Sequence, residues 1–409
     1  MTGPRITICS AAVGCGHTRA ALAIHDAIRR TRPDAAVTIV EALDHAPRWF
    51  VAAYRDAYLR LVRHAPSITG RMYDRSDRPG IHGGLGSRVE QLAMRRLASL
   101  DAVRRANSIV CTHFLCGRVL GRARRLGVFS APLSICVTDQ HPHAVWLTPD
   151  ADTVLVASEA ARHVAVQSGL APKQVITVGI PVHPRFGRAG DPAALRRELG
   201  LPADRPIVLV TGGGLGLGGV EAAVRALLAA GSRLHVVAVC GRCQKLSTNL
   251  RNLAAGNTAN LTVVGFTNKM PEYMAAASVL VGKPGGLTTA EAVASGLPMV
   301  LMNPIPGQEE RNAQLLVAEG VAILERSAEA AAVAAARLIE QPARLAAMRA
   351  SARRIAPNDA ALTIARHTLE LAESAVPASR PVRSQSAPAV LHGPIDPEPA
   401  IACLPCIAG

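Results

Sequence analysis

Aromatic side chains make up only 3% of this 409-residue chain, and only four of its 45 basic residues are lysine. With 49% apolar residues and so few rings, the interior has to be built from Ala, Val, Leu and Ile, which suits parallel strands buried on both faces. No apolar run reaches the ~18–20 residues that span a bilayer. The best candidate, 286–305, is interrupted by Glu291 and turn residues. A cleaved leader is not expected either, because ITICSAAV runs directly into Gly14-Cys15-Gly16-His17 and reads as a first strand and its loop. No GxxxxGK[ST] run occurs, which excludes a P-loop. The nine cysteines are scattered among apolar neighbours. Cys240–Cys243 and Cys403–Cys406 have metal or redox spacing, but they read as buried thiols at a strand end and as part of a ragged tail. The last four residues formally match a prenylation box, without a good terminal residue or a basic cluster upstream.

What is present is a repeated rhythm. Short β-rich runs alternate with amphipathic segments from residue 5 to 179 and again from 206 to about 302, implying two open parallel sheets in an α/β protein. The first helix is expected over 18–31, and one long basic helical stretch over about 48–105. Helices over 328–340, 342–354 and 358–374 follow the second sheet. The chain divides into residues 1–186, residues 187–357, a C-terminal helix over 358–375 that crosses back to the first domain, and a disordered tail over 376–409. Seven prolines lie between 377 and 409.

The second bulk signal is charge. The net charge is +15, and residues 48–125 hold sixteen arginines against five acids. Such a concentration is an ordinary solvated face or an attractor of anions, nucleic acid or membrane phosphates. Trp49, Phe50, Tyr54, Tyr58 and Leu61 lie near helical spacing within it and offer an interfacial face, or simply a helix packed on the sheet. A single-strand binder would interleave rings with its basic residues, and residues 74–125 contain one aromatic, Phe114.

Glycine loops stand at the carboxyl ends of strands, where open α/β sheets bind ligands. GKPGGLTTAE at 282–291 is a strand, a glycine turn and a helix start. Gly285 and Gly286 let a ligand approach the backbone, free N–H groups receive an anion, and Glu291 lies where a carboxylate accepts from a ribose diol. GGGLGLGG at 212–219, with Gly213 and Gly214, is a phosphate cradle. It also fits GxGxxG, but strand 234–240 ends without the acid of a dinucleotide site. An NADP-linked reductase using Arg242 is the alternative this leaves. Gly14-Cys15-Gly16-His17 sets His17 at a helix start, where the dipole favours the neutral imidazole of a base; otherwise it is a histidine beside a cap. Asp139-Gln140-His141-Pro142-His143 ends another strand. HxH there suggests a metal, a polar cleft wall, or an orienting role for Asp139.

These segments resemble the monogalactosyldiacylglycerol synthase family and its processive diacylglycerol glucosyltransferase relatives. More distantly they resemble the peptidoglycan N-acetylglucosaminyltransferase that acts on a lipid-linked muramoyl pentapeptide. The resemblance is carried by SAAVGCGHTRAA at 10–21, VCTHF at 110–114, VTDQHPHAVW at 137–146, VGIPVHPRF at 178–186, GGGLGLG at 212–218, residues 263–300 and PGQEERNA at 306–313. It implies a GT-B fold, two doubly wound domains facing a cleft, and inverting hexosyl transfer from a UDP-sugar without a cofactor or metal. By this resemblance the diphosphate meets the 212–218 loop, and the uracil meets the backbone at Gly265 and Phe266. Glu291 holds the ribose, Gln308 and Glu309 read the hexose, His17 is the base, and Asp139 lines the cleft. Cys15, where the family often has glycine, and the charges of Glu310 and Arg311 depart from the pattern.

The expected activity is transfer of a hexose to a lipid, diacylglycerol first, by a cytoplasmic enzyme peripheral to the inner face of the plasma membrane. Its expected partners are a UDP-sugar, the lipid acceptor and an anionic membrane surface, with no nucleic acid. Another lipid or a secondary metabolite is the alternative acceptor.

Overall fold

A parallel strand reaches its neighbour only through a crossover, so the alternation of buried β runs with helices dictates layered sheets. The computed structural model describes residues 3–374 apart from 79–84, 217, 232, 257–259 and 358. The first sheet contains β1 (Arg5–Ser10), β2 (Ala36–Glu41), β3 (Ser108–Cys111), β4 (Leu133–Cys136), β5 (Thr153–Val156) and β6 (Val175–Thr177). The second contains β7 (Ile207–Thr211), β8 (His235–Val239), β9 (Leu261–Val264), β10 (Val279–Gly282), β11 (Met299–Met302) and β12 (Ala322–Glu325). Their orders are β2-β1-β3-β4-β5-β6 and β12-β11-β10-β7-β8-β9. Every pairing is parallel.

In each sheet the direction of winding reverses once, between β1 and β3 and between β7 and β10. A crevice opens at such a reversal because successive crossovers leave on opposite faces. The loops after β1 and β3 carry His17 and His113, and those after β7 and β10 carry Gly213–Gly214 and Gly285–Gly286. The topology alone therefore gathers these segments at two switch points.

The helix after β1 runs Cys15–Thr31 and buries Ala20, Ala21, Ala23, Ile24, Ala27 and Ile28, the stripe that a 3.6-residue repeat produces. It opens three residues earlier than the apolar pattern suggests, so His17 lies inside its first turn. At the far end of the chain, helix Ala360–Ser374 lays Ala361, Ile364, Ala365, Leu369 and Ala372 against Ile6, Ile8, Ile24 and Ile28 of the first domain. The two segments that pass between domains touch there. A Cβ on Gly179, whose φ is +89°, would come within 2.6 Å of Pro357 and 3.2 Å of Ala360.

Three expectations need correction. The basic stretch is not one helix: it is divided into Arg48–Val51, a π-helical turn over Ala52–Asp56, Ala57–His64, Pro66–Ser76, Leu85–Ala93, Arg95–Ser99 and Asp101–Arg104. Pro66, which cannot donate to a continuing helix, starts a new one. Phe50 is buried and stacks on half-buried Tyr54 at 5.3 Å, so those two rings belong to the core and not to an outer face. Strand β12 was not anticipated; it is a four-residue edge strand placed only by its pairing with β11. The tail over 376–409, with Cys403 and Cys406, lies outside the described residues.

Candidate active site

His17 is held by its Nδ1. That nitrogen lies 3.0 Å from the Thr112 carbonyl oxygen and 2.8 Å from Thr138 Oγ1. A carbonyl only accepts, so Nδ1 carries the proton and Nε2 keeps its lone pair as an acceptor. The ring packs edge-on to His113 at 4.5 Å and lies 6.0 Å from Trp146. Burial, the largest influence, lowers its pKa from the usual 6.5, opposed by the Asp139 charge and the Thr112 hydrogen bond. Burial is thus the first cause of the neutral imidazole that the helix start alone suggested. His113 itself caps helix Phe114–Arg125, with Nδ1 accepting from the Leu115 N–H at 3.1 Å.

Asp139 follows β4 and is 5% exposed. Its Oδ1 accepts from Gln308 Nε2 at 2.9 Å and Asn312 Nδ2 at 3.3 Å, and its Oδ2 from Trp146 Nε1 at 3.3 Å. Three neutral donors hold the carboxylate in place. It ties the first domain to helix Gln308–Ala318 of the second and faces His17 electrostatically. His141 joins this seam through its N–H, 3.0 Å from Asn312 Oδ1. His143 is used internally: Nδ1 accepts from the Val145 N–H at 3.0 Å and Nε2 meets the Tyr73 carbonyl at 3.1 Å. Among the described residues no three metal-ligating side chains gather; His141 meets helix Gln308–Ala318 through its N–H, and His143 is committed to its own loop and to helix Pro66–Ser76.

On the opposite side, helix Gly286–Ala294 starts against these residues. A Cβ on Gly286 would collide with the Thr138 carbonyl oxygen and lie 3.1 Å from Asp139 Oδ1, so this close approach requires glycine. Ala20, Ile180, Leu287 and Ala290 form a small apolar cluster between this helix and the one bearing His17. In the loop after β7, Gly213 has φ +69°, and a Cβ on Gly214 would lie 2.5 Å from Cys15 Sγ of the facing domain. Cys15 thus fills space against the glycine loop where the family pattern often has glycine.

Glu291 is 3% exposed, and Arg19 from the first domain reaches its Oε1 at 3.4 Å. Burial pushes its pKa up to about 7, and Arg19 acts against that rise. Gln308 and Glu309 separate in role. Gln308 points across the cleft to Asp139, whereas Glu309 is buried, pairs with Lys283 and accepts the Ile305 N–H at 3.0 Å. Gly265 ends β9 with open space at its Cα, and Phe266 beside it is 49% exposed beneath the Arg242 guanidinium, 4.4 Å from its centroid. The added charges of Glu310 and Arg311 are engaged by their own neighbours. Glu310 accepts the Gly307 N–H at 3.0 Å, and Arg311 pairs with Asp74 and Asp77.

The structure therefore brings His17, Asp139, Gly214, Gly286 and Gln308 to one seam, with Glu291 and Glu309 buried behind it. Sequence reasoning missed Arg19, Thr138, Trp146, Lys283 and Asn312. Their signal was adjacency to motif residues, as in the GHTR, VTDQ and QEERN runs.

Two doubly wound domains meeting at their switch points across a cleft form the GT-B architecture. Residues 17–182 match the monogalactosyldiacylglycerol (MGDG) synthase family, and residues 207–369 match the glycosyltransferase family 28 C-terminal domain. The chain thus joins a first domain that matches the monogalactosyldiacylglycerol synthase family to a second that matches the family 28 glycosyltransferase C-terminal domain. It is 25% identical over 331 residues to a processive diacylglycerol beta-glucosyltransferase of Bacillus cereus, covering 79% of this chain and 82% of that one. It is 30% identical over 233 residues to the protein of the same name from Bacillus mycoides, covering 57% of this chain and 59% of the relative. In fold it resembles MurG of Acinetobacter baumannii, with a TM-score of 0.58 at 18% identity, over 90% of this chain and 100% of that one.

Proposed function

We propose that the protein transfers a hexose from a UDP-sugar, with inversion at the anomeric carbon, to a hydroxyl of a lipid acceptor, with diacylglycerol first. The observation that carries this reading is the buried His17 imidazole, held through Nδ1 by Thr112 and Thr138, the residue whose carbonyl oxygen and neighbour Asp139 lie against the start of helix Gly286–Ala294. Nε2 takes the acceptor's hydroxyl proton as its oxygen forms a bond to the anomeric carbon. The bond from that carbon to the phosphate oxygen breaks, and UDP leaves with the electron pair. Nδ1–H stays on the Thr112 carbonyl, and Asp139 stabilises the imidazolium. The N–H groups near Gly285 and Gly286 and the Gly213–Gly214 loop receive the diphosphate. Glu291 accepts from the ribose hydroxyls, the backbone at Gly265 and Phe266 meets the uracil, and Gln308 reads the hexose while Glu309 holds Lys283 behind it. A direct displacement with one base and no covalent intermediate inverts the configuration. No metal is needed in this scheme, because N–H groups and Lys283 answer the phosphate charge.

An acceptor in a bilayer calls for a protein that seats on one, and no described helix is long and apolar enough to cross. Trp49 and Leu92 are exposed, as are Ile68 and Met72 on helix Pro66–Ser76. Exposed arginines surround them in the chain, including Arg71, Arg75, Arg88, Arg95 and Arg96. This composition supports peripheral attachment to an anionic surface, each arginine near it contributing about 1 kcal/mol. Reversing the charge of exposed Arg95, Arg96, Arg104 and Arg105 is expected to weaken flotation with anionic vesicles, and salt should weaken the wild type likewise. Equal flotation with neutral and anionic vesicles at every salt level would sink the electrostatic attachment.

The decisive assay incubates the protein with UDP-glucose, UDP-galactose and UDP-N-acetylglucosamine and diacylglycerol-bearing liposomes, followed by mass spectrometry of the lipids. A hexosyl-diacylglycerol supports the reading, and its absence with every donor removes it.

A further inference from the structure

Helix Pro66–Ser76 has two different faces. Ile68 and Met72 are exposed on it, with Arg71 and Arg75 exposed between and beyond them. Its other side grips the second domain. Asp74, and Asp77 just past the helix end, both pair with Arg311, Asp74 at 3.1 Å. The Arg311 guanidinium lies 5.1 Å from the centre of the Tyr73 ring. The backbones press together there: a Cβ on Gly70 would come to 2.6 Å from Pro306 Cβ, and one on Gly307 to 2.7 Å from the Tyr73 ring.

The same helix end also holds the loop that carries Asp139. Asp77 Oδ1 accepts the Ala144 N–H at 2.8 Å, and His143 Nε2 meets Ser76 Oγ at 3.2 Å. Arg311, for its part, stands three residues after Gln308 and beside Asn312, the two residues that donate to Asp139. One side chain thus joins a helix with an exposed apolar face to the residues that hold Asp139.

We propose that Arg311 and Asp77 form a clasp that couples the seating of helix Pro66–Ser76 on a lipid surface to closure of the cleft. Arg311 is a positioning residue that acts through Gln308 and Asn312. Its planar fork can serve two carboxylates while lying against a ring, which a lysine ammonium cannot do. The exposed Asp74 arm adds little to stability in water. Its use is geometric: it keeps the acceptor side and the donor side in register so that the sugar meets a lipid hydroxyl and not water. This inference rests on the hexosyl-transfer reading above.

The test uses the full chain with Arg311→Ala, Arg311→Lys, Asp77→Asn and the Arg311→Ala/Asp77→Asn double variant. Each is assayed with UDP-glucose or UDP-galactose and vesicles of diacylglycerol in phosphatidylglycerol, alongside donor hydrolysis without vesicles and UDP affinity by calorimetry. Either single variant is expected to cut lipid transfer about tenfold while UDP affinity stays within about twofold, and the double variant should lose no more than the worse single one. Arg311→Lys should fall between wild type and Arg311→Ala. The ratio of transfer to hydrolysis should drop, a change that general loosening of the fold does not produce. Transfer within twofold of wild type in Arg311→Ala, independent additive losses in the double variant, or an equal fall of hydrolysis and transfer each overturn the clasp. A wild type that binds no UDP and transfers no sugar removes the underlying reading, and the clasp with it.

Discussion

His17→Ala is expected to lower sugar transfer by roughly 10²–10⁴-fold, the contribution of a positioned general base, while UDP affinity stays close to wild type. In the proposed scheme the separation arises because His17 belongs to the first domain and the second reads the nucleotide. Asp139→Asn should cost less than His17→Ala, since Gln308, Asn312 and Trp146 already occupy its oxygens and its charge acts on the imidazole. A larger loss in Asp139→Asn would transfer the base role to the carboxylate. The acid limb of kcat should lie below pH 6.5, because burial lowers the pKa of His17 and the neutral form is the active one. Measuring kcat against pH for wild type, with both variants at one pH, checks the assignment. Near-normal transfer by His17→Ala would return the histidine to a cap-side role.

Glu291→Gln is expected to weaken UDP binding by at least about tenfold with the fold intact, because a charge-assisted acceptor becomes a neutral one. The pH dependence supplies a second signature. Glu291 titrates near pH 7 in the free protein, and ribose hydroxyls bind best to its ionised, acceptor-only form. Affinity should therefore be full above about pH 7 and decline as pH falls through it, by at most about tenfold per unit, with the proton taken up on UDP release. Arg19, whose charge opposes the rise, adjoins the carboxylate from the other domain. Calorimetry across pH 5.5–8.5 should show the decline in wild type and its loss in Glu291→Gln. A pH-independent wild-type affinity, or an unchanged affinity in the variant, would take Glu291 out of the nucleotide site.

Most of the two sheets was legible in the sequence because parallel strands buried on both faces read as unbroken Val, Ile and Leu runs, such as Ile207–Thr211. Strand β12 was not, since Ala322–Glu325 is only partly buried and too short for a pattern of its own. His17, Asp139 and Glu291 could be singled out because each stands beside a strand end or a glycine turn. Their partners could not, because nothing local marks them: Arg19 and Glu291 are 272 residues apart, and Arg311 and Asp77 are 234 apart. The role of Glu309 shows the same limit. Its neighbourhood with Gln308 suggested one shared task, yet successive residues on a helix diverge by about 100°, and Glu309 turns inward to Lys283.

The return of helix Ala360–Ser374 to the first domain has a consequence for what counts as a unit. Residues 1–186 look self-sufficient as a stretch of sequence, but one face of their sheet and of helix Cys15–Thr31 is roofed by residues from the other end of the chain. Severed at 186, that piece would present Ile6, Ile8, Ile24 and Ile28 to water. Because the two passages between domains lie against each other at Gly179 and Pro357, they act as paired straps on a single edge. Two straps on one edge favour a swing about that edge over sliding, the motion that keeps His17 in register with helix Gly286–Ala294.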